Sequence, residues 1–194
     1  MASSKYQDLV DTATRLFAQY GYTAVGIDRI IAEAGVAKMT LYKHFASKQD
    51  LIVAVLKQRD QQFMQSLQTY VLQYTELELQ IKAIFDWHQQ WFQQADFYGC
   101  MFINASAEFH QAQAAIQTIN QAHKQGITDW LHSLLTPTYA EQAAAIAQQL
   151  SLLLDGAIVS TQITPKSDAI LIAYQTAKFL LAYKNQKFNQ NHPS

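Results

Sequence analysis

The sequence predicts an all-α protein, with an N-terminal three-helix headpiece of the helix-turn-helix kind and a larger helical domain behind it. Three observations carry this. Gly (6) and Pro (3) are scarce among 194 residues, and long stretches are built from Ala, Leu, Ile and Gln, a composition that favours long helices. No segment shows the strict apolar/polar alternation of a half-buried strand. Residues 21–45 read as two short helices joined at Gly35, and the second carries Lys38, Thr40, Tyr42, Lys43 and His44. A short polar and basic helix held at a steep angle behind another is the arrangement that enters a DNA major groove.

Each element follows from local signals. The first helix starts at Ser4, with Gln7 three residues on as capping-box partner. Leu9, Ala13, Leu16, Phe17 and Tyr20 then recur at helical spacing, and Gly21 closes the helix. The second helix runs from Ile27 to Ala34 and the third from Lys38 to His44. Ile30, Ala34, Val36 and Leu41 lock the pair, and Phe45 anchors its end. Ser47-Lys48-Gln49-Asp50 is a capping box that opens a long helix to about Gln73. Further helices are expected over about 75–93, 99–110, 112–135, 139–160 and 167–183, with Gly99, Pro137 and Pro165 at junctions. The polar tail after Tyr183 is expected to fray.

Composition excludes several classes. A net charge of −1 gives no global attraction for nucleic acid, so charge has to be read locally. The 26 Gln fall mostly on outer helical faces, which makes them uncharged surface rather than a low-complexity tract. No signal peptide and no uninterrupted apolar run of membrane-spanning length is visible, so a cytoplasmic protein without a membrane partner is expected. A single cysteine, Cys100, rules out an intramolecular disulfide framework and a Cys-based zinc cluster. Cys100 as a redox sensor is set against an ordinary buried thiol. His88, His110, His123 and Glu108 lack metal-ligand spacing. No constellation for acid–base or nucleophilic catalysis is present, so neither metal, cofactor nor enzymatic activity is expected.

Locally, three lysines and no carboxylate lie between Lys38 and Lys48, whereas a merely solvated face mixes signs. The N-terminal part of the third helix would face the groove floor. That makes Lys38, Met39 and Thr40 the candidate base readers: lysine donates to guanine, and the Met39 side chain and Thr40 methyl pack on a thymine methyl. Lys43 and His44 are candidate backbone contacts.

Gly21-Tyr22, Ala34-Gly35-Val36, Leu41-Tyr42, His44-Phe45 and Ser47-Lys48 together resemble the TetR/AcrR-type transcriptional regulators. The resemblance covers roughly the first fifty residues. Gly99-Cys100-Met101-Phe102-Ile103-Asn104, followed by Ala107-Glu108-Phe109, is similar to a segment of one subgroup. The chain departs at Val25 and Gly26, where many members have Thr and Ser, and at Ile31, where a small Ala is common. Gly26 is a nearly equivalent N-cap but supplies no hydroxyl for a phosphate.

The resemblance implies that Tyr42 and Lys48 hold phosphates, with Lys48 at a helix N-terminus whose free N–H groups add positive potential. It also implies a homodimer on a palindromic DNA operator, residues 1–46 reading DNA and residues 47–194 sensing and dimerising. The last two helices carry the stripes Ile146, Leu150, Leu153, Leu154, Ala157, Ile158 and Ile170, Ala173, Ala177, Leu180, Leu181. Burial within one subunit competes with the intersubunit four-helix bundle that the resemblance favours.

The middle helices are loaded with aromatics, among them Trp87, Trp91, Phe102, Phe109 and Trp130, with His88, Asn104, His110 and His123 as polar handles. Such stripes are often plain core. As a set they suit a pocket for a small apolar or aromatic effector of unknown identity, and the resemblance places that pocket between the fourth and seventh helices. The leading reading is a ligand-responsive dimeric repressor. The alternative is a helical small-molecule-binding protein without specific DNA binding.

Overall fold

A computed structural model describes residues 4–109 and 114–191. Among them every regular element is helical: α1 (Lys5–Tyr20), α2 (Ile27–Ala34), α3 (Lys38–His44), α4 (Lys48–Val71), α5 (Leu77–Phe92), α6 (Met101–Glu108), α7 (Ala114–Tyr139), a 3₁₀ turn (Ala140–Gln142), α8 (Ala143–Ile163) and α9 (Ala169–Asn191).

The local start and stop signals act as written. Ser4 Oγ accepts the Gln7 N–H at 3.2 Å, and Ser47 Oγ accepts the Asp50 N–H at 3.2 Å, each satisfying a donor left over at a helix start. Gly35 ends α2 in the left-handed region at φ 62°, which a side chain would strain. Other boundaries move. Pro137 lies inside α7 rather than after it, because a proline near a helix end costs one internal bond without ending the turn. Helix α9 continues through the expected tail to Asn191.

By packing, the chain forms two compact units, Met1–Phe63 with Tyr98–His123 and Met64–Phe97 with Lys124–Ser194. In the first, Leu9, Val10, Ala13, Leu16 and Phe17 of α1 are buried with Ile30 of α2, Leu41 of α3 and Phe45. Tyr22 and Val25 in the α1–α2 connection complete this core at 0% exposure. Tyr20 does not join it. At 45% exposure it lies beneath Arg29, whose guanidinium carbon is 4.1 Å from its ring centroid.

In the second unit α8 and α9 pack together and α5 packs on both. The expected apolar stripes are largely turned inward: Ile146, Leu150, Leu154, Ala157 and Ile158 are buried, as are Ile170, Ala173 and Ala177. The apolar side chains left outside are different ones, namely Leu152 (72% exposed), Ile163 (75%), Leu171 (50%), Ile172 (60%) and Phe179 (78%).

Candidate functional site

Helix α3 is seven residues long, and neither Ala37 before it nor Phe45 after it supplies a side-chain cap. A helix this short is not stable alone. Leu41 and Phe45, both buried, fix it to the headpiece by one face and leave the rest of its surface outward. Met39 is 81% exposed and Tyr42 48% exposed; Lys38, Lys43 and His44 are exposed and Thr40 half-buried. All the residues predicted to meet DNA from α3 thus lie on one short element. The Tyr6 ring of α1 packs against His44 and Phe45 at centroid distances of 5.8 and 5.2 Å.

One carboxylate intrudes on the cationic surface. Asp28, ten residues upstream, accepts from Lys38 Nζ at 3.2 Å, with both side chains largely in solvent. A count along the chain from Lys38 to Lys48 misses it because α2 and α3 meet only in space.

Lys48 is half-buried at the start of α4 and donates to the Thr23 carbonyl at 3.3 Å. Burial lowers its pKa, and the nearby Glu108 carboxylate opposes that shift. Glu108 was no part of the predicted set, yet its two oxygens accept the Tyr22 N–H at 2.9 Å and the Thr23 N–H at 2.6 Å. Burial works against its charge. The Thr23 and Tyr22 N–H groups nevertheless hold its carboxyl below the usual range. The Tyr22 phenol donates to the Met101 carbonyl at 2.9 Å, and its burial pushes its pKa up, keeping it a donor. An eighty-residue separation hid this whole cluster from sequence reasoning.

The predicted effector residues divide. In the first unit, His123 is 2% exposed, stacks on Phe102 with centroids 3.6 Å apart, and takes the Asp60 carboxylate at 2.7 Å on Nδ1. Asn104 Nδ2 donates to the Tyr98 carbonyl at 3.2 Å, and Phe109 packs on Tyr22 at 5.6 Å. Asn120, not anticipated, donates to Ser106 Oγ at 2.9 Å, while its buried Oδ1 has no partner among the described residues. An unsatisfied buried carbonyl carries a desolvation cost of about 1–3 kcal/mol.

In the second unit, His88 is 2% exposed among Trp87, Trp91 and Phe92. Its Nδ1 lies 2.8 Å from the Ile84 carbonyl, and burial pushes its pKa down to about 4. Trp87 Nε1 donates to Ser66 Oγ at 3.1 Å, and Trp130 is half-buried. His88 and Trp91 are buried here, whereas Trp87 and Trp130 are half-buried. His110 lies outside the described residues. Cys100 is buried. Among the described residues no group of three or more His, Cys, Asp or Glu is placed to hold a metal.

The outward side of α8 and α9 holds an open groove of about 410 Å³, lined by Leu152, Gly156, Ser160, Ala169, Ile172 and Ala173 among others. A side chain at Gly156 would meet nothing within 4 Å among the described residues, so none of them requires glycine there.

Comparison with known proteins matches the headpiece first: the sequence model described as "Bacterial regulatory proteins, tetR family" fits residues 9–55. The chain is 30% identical over 125 residues to the HTH-type transcriptional activator FasR of Mycolicibacterium smegmatis, covering 62% of this chain and 56% of that protein. It is 31% identical over 64 residues to the fatty acid metabolism regulator protein of Bacillus subtilis, covering 33% of each. The chain therefore spans between a third and just over half of the length of these curated relatives. The crystal structure of a TetR-family transcriptional regulator from Streptomyces coelicolor superposes with a TM-score of 0.86 at 30% identity, over 93% of this chain and 96% of that one.

Proposed function

The chain belongs to the TetR family of bacterial transcriptional regulators, and on that premise we propose that it is a dimeric, ligand-responsive repressor acting in the cytoplasm on a palindromic operator. Residues 1–46 read the DNA and residues 47–194 sense the ligand and dimerise. The observation that carries the DNA-reading part is the face of α3. Leu41 and Phe45 alone are spent on the core, while Lys38, Met39, Tyr42, Lys43 and His44 point outward. Lys38, Met39 and Thr40 read bases; Tyr42, Lys43, His44 and Lys48 hold phosphates.

Dimerisation falls to the outward side of α8 and α9. Leu152 and Ile172 line a groove together with small residues, and Ile163, Leu171 and Phe179 are exposed on the same two helices. Exposed apolar surface of this density marks an interaction site, and two such helices facing their two-fold mates make a four-helix bundle. The dimer sets the two α3 helices one DNA turn apart, about 34–36 Å.

The effector is a small molecule with an apolar or aromatic body. Within the first unit the stacked Phe102–His123 pair would meet its body, and Asn120 Oδ1, without a partner among the described residues, would accept from an N–H or O–H group on it. An effector relieves repression only if it binds better to a conformer whose α3 helices are wrongly spaced.

The test is fluorescence-anisotropy binding to DNA enriched from a random pool, at several salt concentrations, with Tyr42→Ala and Lys48→Ala beside the wild type. Tight binding to an enriched palindrome at two subunits per site, weakened in both variants, is the expected result. Weak, sequence-blind binding unchanged in the variants refutes the regulator reading. It would leave a helical small-molecule-binding protein as the function.

A further inference from the structure

Thr23 is gripped on both of its backbone groups. Its N–H is held by Glu108 Oε2 at 2.6 Å, and its carbonyl receives the Lys48 ammonium at 3.3 Å. The preceding N–H, that of Tyr22, goes to the other oxygen of the same carboxylate. Gly21 makes the approach possible: it sits at φ +82°, and a Cβ there would lie 2.9 Å from Glu108 Oε1. The Tyr22 phenol ties the same turn to α6 a second time, at the Met101 carbonyl. Both ends of one eight-residue helix thus hold Tyr22 and Thr23, within the link 21–26 between α1 and α2, and Thr23 in turn holds Lys48.

We propose that Glu108 is a positioning residue for DNA binding, which acts through Thr23 to keep the Lys48 ammonium where an operator phosphate collects it. The proposal rests on the DNA-reading role of the headpiece. A carboxylate that accepts two successive backbone N–H groups makes two charge-assisted hydrogen bonds, each about twice as strong as a neutral one. Tyr22 and Val25 anchor the turn in the headpiece core, but Thr23 and Ala24 between them are exposed, so the Thr23 peptide groups take their position from Glu108. A lysine on four rotatable carbons loses its aim when its carbonyl partner moves. An α6 displaced at its C-terminal end would therefore weaken operator binding without touching α3.

Glu108→Gln is the informative substitution. Gln has the same shape, but only one of its terminal atoms accepts, and the other presents N–H to a backbone N–H. The measurement is operator affinity and its salt dependence for wild type, Glu108→Gln, Lys48→Ala and the double variant, with thermal unfolding alongside. Each single variant is expected to bind about fivefold more weakly at about 0.15 M salt and to lose about 0.9 from the salt slope, the value of one phosphate contact. The double variant is expected to bind no more weakly than Lys48→Ala. Additive losses, or a weakened Glu108→Gln with the wild-type slope, would show an ordinary structural role and overturn the proposal. If Glu108→Gln does not fold, Glu108→Asp, which draws the carboxylate back by one methylene, enters the same cycle under the same criteria. Sequence-blind binding by the wild type itself would instead remove the DNA-reading premise.

Discussion

Phe179 is 78% exposed on α9, so truncating it to alanine removes little from the fold of a single chain and much from any surface that covers it. A phenylalanine presents about 200 Å², of which the methyl of alanine retains a minor part. The loss is about 100 Å² of apolar contact per copy, or about 200 Å² across a two-fold interface. At about 25 cal/mol per Å² this is a ceiling of about 5 kcal/mol per dimer. Incomplete burial and side-chain ordering reduce it, and half the ceiling raises the dimer dissociation constant about a hundredfold. Sedimentation equilibrium from nanomolar to micromolar protein reads this directly. Leu150→Ala serves as the contrast: that side chain is 1% exposed within the chain, and its loss is expected to cost about 2–5 kcal/mol of folding stability. A Phe179→Ala protein that dissociates at the wild-type concentration refutes the assignment of this face to the dimer.

Two further outcomes follow from other contacts. The Lys38–Asp28 pair is solvent-exposed and is worth about 0.2–1 kcal/mol, so Asp28→Asn is expected to raise DNA affinity by up to about fivefold at low salt and by less as salt rises. Unchanged affinity at low salt would show that Lys38 takes no part. The imidazole of His88 has a folded pKa near 4 against an ordinary value of 6.5. The unfolded chain therefore binds the extra proton between those values, and stability is fully present above pH 6.5 and lost as pH falls toward 4. The loss reaches about 3 kcal/mol. Chemical denaturation across that range is expected to show a shallower decline in His88→Leu, and equal slopes in the two proteins would refute the assignment.

What was legible in the sequence is what the chain settles within a few residues. Ser4 with Gln7, Ser47 with Asp50 and Gly35 at φ 62° are local agreements between side chain and backbone, and they placed α1 to α4 with little error. The same is true of α3 as a candidate surface, because its composition conflicts with a buried role. Partners distant in sequence were not legible. Asp28 reaches Lys38 across the turn between two helices, and Glu108 meets Tyr22 from 86 residues away. The apolar stripes of α8 and α9 were visible, but a helix apolar on several faces does not declare which face turns inward. The side chains expected at the interface are largely buried, and Leu152 and Phe179 are the ones left outside. Likewise His88 and Trp91 stood out as polar and aromatic residues, and only packing shows them enclosed by each other's rings.

The recognition helix divides its labour between two kinds of position. Leu41 and Phe45 are the lock, at 0% and 4% exposure, while Met39 at 81% and the neighbouring Lys38, Lys43 and His44 contribute nothing to the core. Exchange of an outward side chain therefore costs the fold little, since surface substitutions away from caps and cores stay within about 0.5 kcal/mol. The headpiece can be readdressed without being rebuilt. A library varied at Lys38, Met39 and Lys43, with Leu41 and Phe45 held constant, would return mostly folded proteins that differ in the DNA they choose. In such a scaffold a new target is a few substitutions away, and stability places almost no limit on the search.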